Sequence, residues 1–294
     1  MANLGFVGLG LMGGRIAKKF LDAGHVVTGY NRTRARAQWL IDSGMQWSGS
    51  PRAVAAAADI TFSMVSDTAA LSSITDGEDG ILAGLSPGKI YVDMSTVSPL
   101  LIRGLAMHVR MLDAQMLEAP VSGSVSTVES GTLVIFAGGD AVVLDRVRPI
   151  LESISQKIIH VGANGQAMAI KIAINANLAT QLVTLFESLL LAEKSGIPRA
   201  QALDAILNSV AASTHAKYRA PFILKMPDEV WFSARMMQKD VLLALDLGRE
   251  VGMSLPTVAY ANELLTAARG MGYGEQDFAV LFKVVERLAG MSEV

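Results

Sequence analysis

Between Leu4 and Phe20 the chain reads LGFVGLGLMGGRIAKKF, and no other segment limits the possible folds as much. A short apolar run, LGFVGLG (4–10), ends in glycines. GRIAKKFLDAG (14–24) then carries apolar residues at helical spacing and closes on a glycine. Gly8-Leu9-Gly10-Leu11-Met12-Gly13 fits G-x-G-x-x-G. In isolation that pattern is common in tight turns. Here it follows a strand and opens a helix, the context in which glycines let backbone approach a pyrophosphate seated on a helix N-terminus.

The first half continues in the same alternation. HVVTGYN, DITFSMVS, KIYVDMST, QMLEAPVSG, GTLVIFAGG and KIIHVG read as further strands separated by helical stretches, which argues for a mainly parallel, doubly wound sheet. After Gly165 the strand signal stops. One long helical pattern runs from Gln166 to Lys194 and ends at Ser195-Gly196, with Pro198 just beyond. The rest of the chain reads as helical, interrupted at Pro221, Pro227, Pro256 and GMGYG (270–274). The expected class is therefore α/β. A doubly wound (Rossmann) dinucleotide domain over 1–163 is joined by a long helix to an all-α domain for substrate and assembly over 164–294. A chain of 294 residues is long enough for two cores.

Composition narrows the function. Apolar residues make up 51% and charged residues 18%, so a large fraction is buried, and a net charge of −2 gives no support to nucleic-acid binding. The absence of cysteine excludes disulfides and thiolate metal sites, and the four histidines are scattered, so no metal is expected. The sequence passes from MAN straight into a strand, leaving no room for a targeting segment, and a cytoplasmic location is the default expectation. The most apolar stretch, Ala167 to Ala192, is broken by Lys171, Asn175, Asn177, Gln181 and Glu187, and reads as a buried helix rather than a membrane span.

Four segments carry chemistry. In VTGYNRTRAR (27–36), Asn31 stands where NAD-binding strands usually end in an acid, and Arg32 comes next. A guanidinium fork suits a 2′-phosphate, so NADP is the expected cofactor; Arg36 offers a second cation and Arg34 reads as solvated. Lys171 and Asn175 lie one helical turn apart on one face. A buried lysine is costly unless paired or functional, and the alternative is that it snorkels to the surface. EAPVSGS (118–124) reads either as a carboxylate cradle of backbone N–H groups and hydroxyls or as a plain turn. In FSARMMQKD (232–240), Lys239 and Asp240 taken alone read as a solvated ion pair.

Taken in order, GFVGLGLMG, YNRT, VDMSTV, APVSGS, the Lys171–Asn175 pair and QKDVLLAL resemble the β-hydroxyacid dehydrogenase family along essentially the whole chain. That family includes 3-hydroxyisobutyrate dehydrogenase and tartronate semialdehyde reductase, and the glyoxylate/succinic semialdehyde reductase branch is the most similar. The resemblance implies an NADPH-dependent reduction of a small carboxylate-bearing aldehyde, with Lys171 catalytic and Asn175 assisting. Ser122, Gly123 and Ser124 would hold the substrate, with Thr96 and Phe232 near the reacting centre. Lys239 would face the cofactor and Asp240 would position that segment. Gly8 to Gly13, Asn31, Arg32, Thr33, Arg36, Thr96 and the loop Met64-Val65-Ser66 would bind the dinucleotide. A homo-oligomer, dimer or tetramer, is also implied.

Two positions depart from the family's pattern. Ser124 replaces a second glycine found in many members, which favours the glyoxylate/succinic semialdehyde branch, and Ala167 stands where glycine is frequent. The competing readings are a 3-hydroxyisobutyrate or tartronate semialdehyde enzyme, and a non-catalytic NADP-binding module. An imine reductase is a third, although that related group generally lacks the lysine.

Overall fold

The computed structural model describes residues 1–227 and 229–291. The chain divides into two compact units, Met1–Lys171 and Ile172–Val294.

The first unit alternates strands and helices: β1 (Asn3–Val7), α1 (Leu11–Asp22), β2 (Val26–Tyr30), α2 (Gln38–Asp42), β3 (Gln46–Trp47), α3 (Pro51–Ala57), β4 (Ile60–Ser63), α4 (Thr68–Thr75), α5 (Ile81–Gly84) and β5 (Ile90–Asp93). Then come α6 (Pro99–Met111), β6 (Gln115–Glu118), β7 (Val121–Ser122), α7 (Val125–Glu129), β8 (Leu133–Gly139), α8 (Ala141–Leu151), β9 (Ser155–Gly162) and the start of α9 (Gln166–Lys194). The sheet order is β3-β2-β1-β4-β5-β6-β8-β7, with β9 on β8. From β3 to β6 every pairing is parallel. Every residue of β4 and β5 is buried, as expected where helices cover both faces. Phe6, Phe20 and Phe62 form the centre of that packing, with Phe20 and Phe62 rings 4.9 Å apart. The strand order reverses at β1, which lies between β2 and β4, and such reversals open the crevice where α/β proteins bind ligands.

The segment read as one strand from QMLEAPVSG is two. β6 and β7 both pair antiparallel with β8 along one of its edges, and β9 takes the other edge in parallel. The break falls at Ala119-Pro120, where proline has no N–H to give the ladder, although the Pro120 carbonyl still accepts the Phe136 N–H at 3.0 Å.

The second unit is helical: the remainder of α9, then α10 (Arg199–Leu207), α11 (Thr214–Arg219), α12 (Pro221–Leu224), α13 (Ala234–Glu250), α14 (Pro256–Gly270) and α15 (Leu281–Leu288). The prolines sit where their fixed φ and missing N–H are tolerated, at the first turns of α12 and α14. Length and composition alone would let α9 cross a membrane. Its buried residues, among them Met168, Ile172, Ala179, Leu182, Phe186 and Leu189, instead recur at helical spacing along one stripe, as on a helix packed on one side. Phe186 meets Phe282 edge-on at 5.6 Å, and Arg199 binds Glu193 and Glu286 while lying 4.7 Å from the Phe282 ring centre.

Candidate active site

The glycine turn is shaped by close approach on one side and open space on the other. Gly8 has φ +96°, and a Cβ there would sit 2.3 Å from the Met64 carbonyl oxygen. At Gly13 a Cβ would come within 2.1 Å of the Gly8 oxygen, so α1 packs directly onto the turn. Gly10 is different: a Cβ there would meet nothing within 4 Å. Packing does not require glycine at that position, whereas a ligand lying on the backbone would. Gly10 also caps α1 with no side-chain bond, and no acid lies in the first turn, which leaves the positive helix end suited to a phosphate. These features fit a dinucleotide.

The strand ends around the turn are tied to it. Asn31 accepts the Leu9 N–H at 3.2 Å and donates to the Thr33 carbonyl at 2.9 Å, so this residue braces the turn. At the ends of β4 and β5, the Ser63 hydroxyl bonds to Tyr91 (2.7 Å) and Asp93 (2.6 Å), and Ser95 donates to the same Asp93 oxygen at 2.8 Å. Burial, together with the Asp93 charge, pushes the Tyr91 phenol well above its ordinary value, which keeps it a donor. Ser95 in turn accepts the Val65 N–H at 3.0 Å. This buried network fixes the Met64-Val65-Ser66 loop and the neighbouring Thr96. An aspartate ending an apolar strand in VDMSTV was its sequence signal.

The outer cations are arranged more loosely. Arg32, Thr33 and Arg36 are exposed beyond β2. Arg34, read as solvated, is exposed but places its guanidinium 5.5 Å from the Trp47 ring centre. Arg36 also lines a cleft of about 680 Å³ with Gly10, Leu11, Lys19 and Trp39.

Ser122 ends β7 and Ser124 precedes α7. Gly123 has φ +148°, and a Cβ there would overlap Thr127 Oγ1 at 2.1 Å, so only glycine fits. The Ser124 N–H donates to Thr127 Oγ1 at 2.7 Å. The cradle read from the sequence is therefore narrower: one of its backbone donors is already used inside the turn. Lys171 lies on the first turns of α9 and is only 9% exposed, so it does not snorkel.

In the second unit Asn175 and Asp240 are both buried. Asn175 donates to one Asp240 oxygen and Lys239 lies 2.6 Å from the other. The solvated ion pair expected from QKD is thus a buried one on the Asp240 side, because α13 turns that carboxylate toward α9. Phe232 is held by Asp277, which accepts its N–H at 3.2 Å while binding Arg219 through both oxygens. His215 stacks on Phe278 beside them.

The NAD-binding domain model of 6-phosphogluconate dehydrogenase matches residues 3–162, and the NAD-binding model of NADP-dependent 3-hydroxyisobutyrate dehydrogenase matches residues 165–285. The chain is 30% identical to glyoxylate/succinic semialdehyde reductase 2 of Arabidopsis thaliana over 97% of this chain and 79% of that protein. It is 31% identical to 2-(hydroxymethyl)glutarate dehydrogenase of Eubacterium barkeri over 99% and 97%. The solved structure of Mycobacterium tuberculosis 3-hydroxyisobutyrate dehydrogenase with L-serine superimposes with a TM-score of 0.87, at 29% identity and over 97% and 99% of the two chains. A nicotinamide-dinucleotide turn followed by matches to both halves makes the chain a member of the β-hydroxyacid dehydrogenase family of NAD(P)-dependent oxidoreductases.

Proposed function

We propose that the chain reduces small carboxylate-bearing aldehydes, glyoxylate and succinic semialdehyde among them, to the hydroxyacids with NADPH, and that Lys171 is the proton donor. The observation that carries this reading is a lysine only 9% exposed near the start of α9 in a family of oxidoreductases. A buried ammonium has no stabilising role in an apolar helix unless a partner or a reaction uses it.

The dinucleotide, held by the Gly8–Gly13 turn, the Met64–Ser66 loop, Asn31, Arg32, Thr33, Arg36, Thr96 and Lys239, supplies the hydride when bound. The remaining work falls to the protein. Lys171 places a proton at the carbonyl oxygen as negative charge develops there, and so both stabilises and neutralises the alkoxide. The Ser122 hydroxyl and the Gly123 backbone hold the substrate carboxylate, which fixes the carbonyl for reaction. Phe232 presents an apolar ring near the reacting centre, and Asp240 orients Asn175 and Lys239 through its two oxygens. Ser124 in place of a second glycine favours glyoxylate and succinic semialdehyde over 3-hydroxyisobutyrate. The NADPH preference rests on Arg32 and on the absence of an acid at Asn31.

The decisive experiment is Lys171→Ala assayed with NADPH and each aldehyde. Loss of a general acid lowers kcat by about 10²–10⁴-fold while the cofactor still binds. Lys171→Arg should not restore activity, because a guanidinium does not release its proton near neutrality. Retention of more than about a tenth of wild-type kcat, well above the range for losing such a group, would remove Lys171 from the mechanism.

A further inference from the structure

The proposed chemistry gives no role to the buried carboxylate of Glu118 in the first unit. Glu118, the last residue of β6, is fully buried. Its Oε1 accepts the N–H groups of Gly165 at 2.6 Å and Ala167 at 2.9 Å, and its Oε2 accepts that of Met168 at 3.3 Å. These are donors at the start of α9, whose first turn contains no acid of its own. An anion there satisfies helix donors that have no partner within the helix.

The surroundings are built to admit this side chain. Gly138 lies directly across the ladder from Glu118, and a Cβ on Gly138 would fall 2.2 Å from Glu118 Oε1. Asn164, just ahead of the capped turn, donates to the carbonyls of Met116 (3.4 Å) and Gly138 (3.3 Å), which holds the approach to α9 against the same strands.

A local cap from the helix's own sequence would steady α9 alone. Glu118 comes from a distant strand and joins two parts of the candidate site. Toward one side, the backbone from Glu118 to Ser122 is fixed by the Ala119 N–H on the Asp93 carbonyl (2.7 Å) and by the Phe136 N–H on the Pro120 carbonyl (3.0 Å). Toward the other, less than one turn of helix separates Met168 from Lys171. We propose that Glu118 is a positioning residue, whose carboxylate sets Lys171 at the correct place relative to the Ser122–Ser124 turn. This rests on Lys171 being the proton donor.

Burial lifts the Glu118 carboxyl to about 7, against the pull of its three N–H partners and with a further push from the Asp93 charge. Arg103 of α6 also faces this corner, its side chain lying against Gly165. Protonation puts a hydrogen on one oxygen and turns an acceptor against the helix donors. Turnover should then fall on the acid side of neutrality for a reason distinct from Lys171.

The test uses the full-length enzyme with NADPH and glyoxylate, and hydrogen exchange of the amides at 165–168. Glu118→Gln should lower kcat by about 10- to 100-fold, the scale of a small misplacement of a catalytic group, with KM for NADPH unchanged. It should also abolish the acid limb of the kcat profile near pH 7 and speed exchange at 165–168. Glu118→Asp, one methylene shorter, should give intermediate turnover and serves if the amide variant folds poorly. Wild-type kcat and pH profile in either folded variant would overturn the proposal, even if exchange at 165–168 were faster, because the cap would then be structural only. Should Lys171→Ala keep its turnover, the catalytic reading fails and the positioning role fails with it, while exchange in Glu118→Gln still reports the cap itself. Loss in Lys171→Ala with no loss in the Glu118 variants refutes the positioning role alone.

Discussion

The side-chain amide of Asn175 on α9 donates to Oδ2 of Asp240 on α13, and Oδ1 of the same carboxylate lies 2.6 Å from Lys239 Nζ. One buried aspartate thereby serves two polar side chains on two helices. Asp240→Ala leaves Asn175 and the half-buried Lys239 without this acceptor. It should cost about 2–3 kcal/mol in urea denaturation, less than a fully buried pair because Lys239 is partly solvated. Asp240→Asn should cost less. A double-mutant cycle with Asn175→Ala should give a coupling of about 1 kcal/mol, and additive effects would contradict the described bond.

Cofactor choice should depend on Arg32. A charge-assisted bond to phosphate is worth about 1.5–3 kcal/mol, so Arg32→Ala should lower kcat/KM for NADPH by about one to two orders of magnitude and leave that for NADH nearly unchanged. Equal use of both cofactors by the unaltered enzyme would dismiss the 2′-phosphate reading.

Ser122→Ala should separate binding from chemistry. If its hydroxyl anchors the substrate carboxylate, KM for the aldehyde acid should rise more than kcat falls, and an aldehyde lacking a carboxylate should be affected far less. A pure kcat effect on both substrates would place Ser122 elsewhere in the reaction.

Acid should destabilise the second unit through His215. Burial, with the nearby Arg219 charge, lowers its folded pKa from 6.5 to about 4, although Asp277 partly opposes this. Between those values the unfolded chain binds a proton that the folded one does not. The neutral-imidazole contribution is complete above pH 6.5 and is lost as pH falls toward 4. Relative to His215→Gln, the wild-type protein should lose about 2–3 kcal/mol across that interval. Parallel stability curves for the two proteins would refute it.

Assembly is expected to involve the helical half, where Leu191, Leu242, Val251, Met253 and Tyr260 expose apolar surface. Light scattering at micromolar concentration should return the mass of a dimer or tetramer, and a monomer mass would count against it.

The parts of this fold legible in the sequence are those governed by local rules. Gly8 and Gly13 mark their turn because backbone geometry and helix packing need them, and Gly10 because its open backbone face suits a ligand. α9 starts at Gln166 and ends at Lys194, as its spacing and the Ser195-Gly196 stop indicate. What was not legible depends on partners distant in the chain. QKD reads as solvated until α13 turns Asp240 toward Asn175, and nothing near Glu118 in sequence reveals that its partners are Gly165, Ala167 and Met168. The one clue was chemical: Asp93 and Glu118 are acids that directly follow buried apolar residues at strand ends, and a buried acid has to find donors. The antiparallel pairing of β8 was equally hidden, since strand patterns carry no direction.

The brace at Asn31 bears on how cofactor preference can change by descent or by design. Converting this protein to use the unphosphorylated dinucleotide invites an acid at position 31. An aspartate there could still receive the Leu9 N–H, but it has no hydrogen to give the Thr33 carbonyl that Asn31 now serves at 2.9 Å. The swap therefore keeps the tie to the glycine turn and gives up the tie to the loop after β2. Residue 31 is thus coupled to residue 33 by one exposed hydrogen bond, so the cost of a changed cofactor preference falls on the loop that carries Arg32 rather than on the glycines.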